Sequence, residues 1–180
     1  MSSQKIIEEL IKGHKLYKHR SLAFESLGIP QDDTARTLYV TANISAVVAY
    51  PFEDTEDGDR LGQFRAWLDD FIEGSELSVS EDPYEKPPTT MLARVSPVEK
   101  EFWSIRVTQP EDTPGIRSLG AFSDTDEFVA LAWEKREIID VNFDAEVESA
   151  IQVWADYFGT CPPHRGDSLD DYLTIKHRTD

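Results

Sequence analysis

Residues 102–133 read FWSIRVTQPEDTPGIRSLGAFSDTDEFVALAW, and this stretch decides the fold. It holds three apolar runs rich in β-branched and aromatic residues, with turn chemistry between them at 110–115 and 123–126. Short runs broken by Pro, Gly, Asp and Ser predict a β-meander. Trp103, Ile105 and Val107 share one face of the first strand, opposite Phe102, Ser104 and Arg106. In the last strand Val129, Leu131 and Trp133 oppose Phe128, Ala130 and Ala132. Both faces are apolar, which predicts a central strand covered on both sides. Gly120, inside the second run, predicts a bulge or a close backbone approach.

Outward from the meander, 91–95 begins the sheet region and Pro97 to Lys100 turns it. Downstream, Asp144 is placed to cap a helix over 144–158 that buries Val147, Ala150, Ile151, Trp154 and Phe158, and Gly159 and Pro162 end it. The tail, with Tyr172, Leu173 and Ile175, predicts one more short docked helix. Upstream, 82–89 is a Pro-rich loop and 76–80 a short edge strand. A helix over 59–73 has the buried stripe Leu61, Phe64, Leu68, Phe71 and Ile72, with Gly74 at its end. Over 37–50, Leu38, Val40, Ala42, Ile44, Ala46, Val48 and Tyr50 alternate with other residues, which predicts one long strand with a bend near Asn43. Residues 1–30 form a helical N-terminal segment: a helix over 3–19 capped by Ser3, then a shorter one from Leu22 that Gly28 and Pro30 end. The expectation is a single α+β domain over 1–180. Its mixed or antiparallel sheet has about five strands, packed by helices 3–19, 59–73 and 144–158.

The composition supports a folded domain with an acidic exterior. Nine Phe, six Tyr and four Trp in 180 residues supply a bulky core. Asp and Glu number 35 against 18 Lys and Arg, a net charge of −17. That excess repels phosphate backbones, so nucleic acid is not an expected partner, while a basic protein is. Asp54, Glu56, Asp57, Asp59, Asp69, Asp70 and Glu73 are the densest acids and the candidate contacts for such a partner. One cysteine permits no internal disulfide, no apolar run reaches membrane length, and the amino-terminal residues are too polar for a signal peptide; a cytoplasmic location is expected.

Specific chemistry is sparse. Cys161 and His164 are half of a metal site or of a thiol–imidazole pair, but no second pair of ligands stands at suitable spacing. The acids before the 59–73 helix lack the twelve-residue calcium pattern, and the helix dipole accounts for them. His14 and His19, with Lys12, Lys15, Lys18 and Arg20, make a small basic patch. No metal or other cofactor is expected. Arg106 and Arg117 interrupt apolar strands, where an arginine either pairs with a carboxylate or recognises an anion. With Trp103 they form the candidate ligand-binding set.

Trp103-Ser104-Ile105-Arg106, Ile116-Arg117-Ser118-Leu119-Gly120-Ala121-Phe122, Phe128 to Trp133 and the following helix give residues 91–158 a pattern that resembles the RelE/HigB-like toxin family, including phage-type relatives. The resemblance implies messenger-RNA cleavage without a metal, with Arg106 and Arg117 as the catalytic candidates on the phosphate. About ninety residues precede the similar region. Because of the acid excess, the reading favoured here is a non-enzymatic accessory protein, inhibitory or nucleic-acid-mimicking in its sharpest form, that presents carboxylates to a basic protein. A RelE-like ribonuclease or degenerate relative is the alternative, followed by a small-molecule-binding domain with an aromatic-lined sheet face.

Overall fold

The computed structural model describes residues 2–30, 34–108, 115–174 and, for the backbone alone, 177–179. The predicted turn at 110–115 falls almost wholly outside them, as does Ile175. Six α-helices, α1 (Ser3–Lys12), α2 (Leu22–Leu27), α3 (Ala42–Val47), α4 (Glu56–Glu73), α5 (Arg136–Ile139) and α6 (Phe143–Phe158), accompany one mixed sheet. Seven strands build it: β1 (Leu16–Lys18), β2 (Thr37–Thr41), β3 (Leu77–Ser80), β4 (Leu92–Arg94), β5 (Phe102–Val107), β6 (Ile116–Asp124) and β7 (Glu127–Lys135). A further short strand, β8 (His177–Thr179), lies along β3. The order is β1-β2-β7-β6-β5-β4-β3-β8, parallel at β2–β7, β3–β4 and β3–β8 and antiparallel elsewhere. The molecule is a single α+β domain.

Helices cover both faces of the sheet, as the apolar meander requires. On one face Leu38, Val40, Trp103, Ile105, Phe122 and Phe128 pack against Ile44 and Val48 and against the α4 stripe Phe64, Leu68, Phe71 and Ile72. Tyr172 and Leu173, fully buried, close the end of this layer after a 3-10 turn at Leu169–Asp171. On the other face Phe102, Leu119, Ala121, Val129 and Leu131 meet Ile7 and Leu10 of α1 and Val147, Ala150, Trp154 and Phe158 of α6. The meander therefore sits between two apolar layers.

Local chemistry explains most of the element ends. The Thr55 hydroxyl accepts from the Gly58 N–H at 3.1 Å, and Glu56, Asp57 and Asp59 occupy the first turn of α4, where the helix dipole favours negative charge. Gly74 ends α4 at φ 80° and Gly28 ends α2 at φ 68°, both left-handed as their positions predicted. The strand at 77–80 was read as an edge, but it is paired on both sides, with β4 and β8. The α6 helix begins after Asn142, so Asp144 lies in its first turn, and the position before α1 is Ser2 with Ser3 its first residue.

Four expectations are corrected. The predicted long strand at 37–50 ends at Thr41, and 42–47 is helix. Ile44 and Val48 are buried while Ala42 and Ala46 are exposed, so this half of the alternation is an i, i+4 helical pair. The predicted helix over 3–19 stops at Lys12; the chain turns at Gly13 and at His14, whose φ is 55°, and returns as β1. Among the described residues the sheet has eight strands, against the roughly five expected. Finally, the β6–β7 register shifts between Leu119 and Gly120, opposing Ala132 and then Ala130. Leu131 is the extra residue, and beyond it Trp133 packs with Phe128's layer and not with that of Val129.

Candidate interaction surface

Six arginines of this acidic chain, Arg36, Arg60, Arg65, Arg94, Arg106 and Arg117, are largely buried, whereas Arg20, Arg136 and Arg165 are exposed. Arg60 reaches Glu56 and Glu137, each at 2.6 Å. Arg65 reaches Asp69 at 2.9 Å. Arg94 and Arg165 converge on the buried Glu101, and Arg117 and Arg136 converge on Asp140. Arg36, 1 % exposed, donates to the carbonyls of Phe71 and Ser75 at the end of α4 and stands 4.0 Å from Asp126. Because Glu101 and Asp140 each serve two arginines, few acids are neutralised and many are left outside.

The sequence-derived ligand set is placed as follows. Trp103 is fully buried, edge-on to Phe122 and Tyr172, and lines the core. Arg106 and Arg117 are direct cross-strand partners on β5 and β6. Arg106 donates to the carbonyls of Pro87 and Thr90 in the Pro-rich loop at 3.1 and 3.3 Å. Arg117 Nε lies 2.8 Å from Asp140 Oδ1, and its guanidinium covers the Phe143 ring. Lys86 joins them: burial, then the charges of Arg106 and Arg117, hold its ammonium below the ordinary lysine pKa. Cys161 is half-buried, and His164 Nε2 lies 3.0 Å from the Asp171 carbonyl.

The sequence-derived acids do not form one face. Glu56 faces Arg60, and Asp57 meets Lys135 at 2.6 Å, which lowers its pKa. Asp69 serves His19 and Arg65, and Glu73 accepts from the Ser21 hydroxyl. Asp54, Asp59 and Asp70 are exposed, the last accepting from Ser75 at 3.2 Å.

A different element gathers carboxylates on one side. In α6, FDAEVESAIQVWADYF, there are four acids and no base. Its inner stripe, Val147, Ala150, Trp154 and Phe158, is buried, so Asp144, Glu148, Gln152 and Asp156 at i, i+4 spacing are driven outward, and all four are exposed. Twelve residues at about 1.5 Å each spread this stripe over roughly 18 Å. Gln152 donates to Asp156 at 2.8 Å, and Glu146 is exposed on another side of the helix.

Both ends of the stripe open onto concavities. At the amino-terminal end Asp144 and Glu148 border a cavity of about 360 Å³ walled by Pro97 and Tyr84, whose ring is 78 % exposed. At the other end Asp156 borders a groove of about 910 Å³ between α1 and the end of α6, floored by Ile6, Leu10, Phe158 and Pro162. Lys15 lies over the Tyr157 ring on its wall. A carboxylate ridge running into an apolar groove suits a cationic segment carrying a hydrophobic anchor. The spacing 144-148-152-156 is readable in the sequence, although the densest acids lie at 54–73. Among the described residues no helix is long and apolar enough to cross a membrane. None of the protein-family models, curated proteins or solved structures compared with the chain matches it.

Proposed function

We propose that this is an interaction protein that binds a basic protein partner along α6. The observation that carries the reading is the outward stripe of Asp144, Glu148 and Asp156, on a helix without a base, leading into the groove between α1 and α6. The partner contributes a helix or loop with lysines or arginines over the stripe and an apolar side chain over Leu10 and Phe158. No lysine or arginine stands on α6 itself to compete for the stripe. Electrostatic attraction of this kind speeds encounter and fails in salt.

The test is calorimetric titration with a synthetic Leu/Lys helical peptide. Replacing Asp144, Glu148 and Asp156 with lysine is expected to weaken binding by about tenfold or more, equivalent to about 1.4 kcal/mol. The same reversal of Asp54, Asp59 and Asp70 is expected to change it by no more than about twofold. Equal losses in the two variants would mean that net charge alone attracts the peptide, and the reading would fail.

A ribonuclease reading, as the toxin resemblance implies, is favoured by one feature: Arg106 and Arg117 stand opposite each other with Lys86 beside them. It requires that purified protein cleave RNA and that Arg106→Ala with Arg117→Ala abolish the cleavage.

A further inference from the structure

One concavity of the described residues has the opposite sign. It lies where β1, the 19–22 segment, α3 and α4 meet, and encloses about 590 Å³, the size of a site for a small organic molecule. His14, Lys18, His19, Arg20 and Arg65 line it against one carboxylate, Glu25. Asp69, just behind, is already committed: Oδ1 takes His19 Nε2 at 2.6 Å and Arg65 Nε at 2.9 Å, and Oδ2 takes the Leu22 N–H at 3.2 Å. Arg65 is committed as well, donating to the Val48 and Arg20 carbonyls besides Asp69. This network fixes the floor, and Arg20 and His14 stand on the rim.

The rim is also apolar. Ile11, Tyr17 and Leu22 line the same cavity and are 37 %, 36 % and 36 % exposed, large side chains that folding leaves in water. His14 takes the left-handed position, φ 55°, that ends α1, its N–H donating to the Ile11 carbonyl at 3.0 Å and that of Lys15 to the Leu10 carbonyl at 2.9 Å. That conformation carries the imidazole to the mouth, its ring centroid 6.4 Å from that of Tyr17.

We propose that this cavity binds a small organic anion with an apolar body: a carboxylate or phosphate head against Arg20 and His14, and an aliphatic or aromatic body on Tyr17, Ile11 and Leu22. In a protein of net charge −17 such a pocket selects for the anionic head at short range, against the long-range field. The cavity shares no lining residue with the groove between α1 and α6, although both reach the end of α1.

The experiment titrates the full chain with 4-phenylbutyrate, phenyl phosphate and the uncharged 4-phenylbutyramide, followed by amide NMR. At least one anion is expected to bind with a Kd below about 1 mM, shifting the Tyr17 and Arg20 amides, with the amide at least about tenfold weaker. The preferred anion distinguishes a carboxylate head from a phosphate head. Arg20→Glu is expected to abolish binding at an unchanged thermal midpoint, and Tyr17→Ala to weaken it. Amide binding equal to that of the anions, failure of both anions, or full binding by Arg20→Glu would each overturn the proposal.

Discussion

At the scale of single residues, Glu101 and His19 show how a chain rich in carboxylates uses them as structural centres. Glu101 is 4 % exposed and sits at φ 61°, a left-handed backbone uncommon for glutamate. Its carboxylate takes Arg94, the Tyr172 hydroxyl at 2.6 Å and Arg165 at 2.8 Å. Removing it strands the Arg94 guanidinium over the Trp103 and Tyr172 rings. Glu101→Ala is therefore expected to cost about 3–5 kcal/mol in urea unfolding, the usual loss for one half of a buried pair. His19 makes a pH-dependent contribution. Its pKa is lowered, first by burial and then by the Arg65 charge, with Asp69 opposing, so the folded state holds a neutral ring whose Nε2–H donates to Asp69. Because the folded pKa lies below the unfolded one of 6.5, this stability is present above pH 6.5 and is lost as pH falls through the folded value. Between pH 7.5 and 5.5 the thermal midpoint is expected to drop, and His19→Gln to drop less. The sequence marked Arg106 and Arg117 as residues that must find partners on apolar strands. Which partners, the carbonyls of Pro87 and Thr90 and the carboxylate of Asp140, depended on a loop path and on a helix that starts nineteen residues after Arg117, neither of which local patterning carries.

At the scale of elements, the β6–β7 bulge decides which core each meander residue enters. Gly120 permits it: a Cβ there would stand 2.1 Å from the Val129 carbonyl oxygen and 2.7 Å from the Phe128 ring. Gly120→Ala is expected to destabilise by about 1–3 kcal/mol, the range for overpacking a dense core, measured by chemical denaturation. The glycine was legible as a bulge or close approach. Its effect on Trp133 was not, because strict alternation assumes an unbroken ladder. The 42–47 segment failed for a related reason. Periods of two and of 3.6 agree at every fourth residue, so Ile44 and Val48 fit either pattern, and only the tertiary fit of α3 over β2 and β7 separates them. The α4 and α6 helices were legible because the apolar stripe and the terminating glycine agreed, while their first residues, Glu56 and Phe143, were not.

For the whole molecule, charge is the dominant fact, and its arrangement was less legible than its amount. The net charge follows from counting; that six arginines are buried and that α6 bears an outward acidic stripe required the packed layers. Like charges repel within the folded surface more than along an expanded chain. Raising salt from about 0.02 to 0.3 M, which shortens the screening length below about 10 Å, is expected to raise the thermal midpoint by about 2–4 °C, equivalent to roughly 1 kcal/mol for a chain of this size. Buried pairs such as Arg94–Glu101 should be little affected.

The seating of Tyr172 and Leu173 against Trp103 and Phe122 also orders events in time. Synthesis is vectorial, so the central strands leave the ribosome while the residues that close their layer are still unmade. Until residue 173 emerges, two of the largest aromatic side chains in the domain lack their cover. A nascent chain paused before that point leaves the end of this layer open and exposes aromatic surface to chaperones and to its neighbours on the polysome.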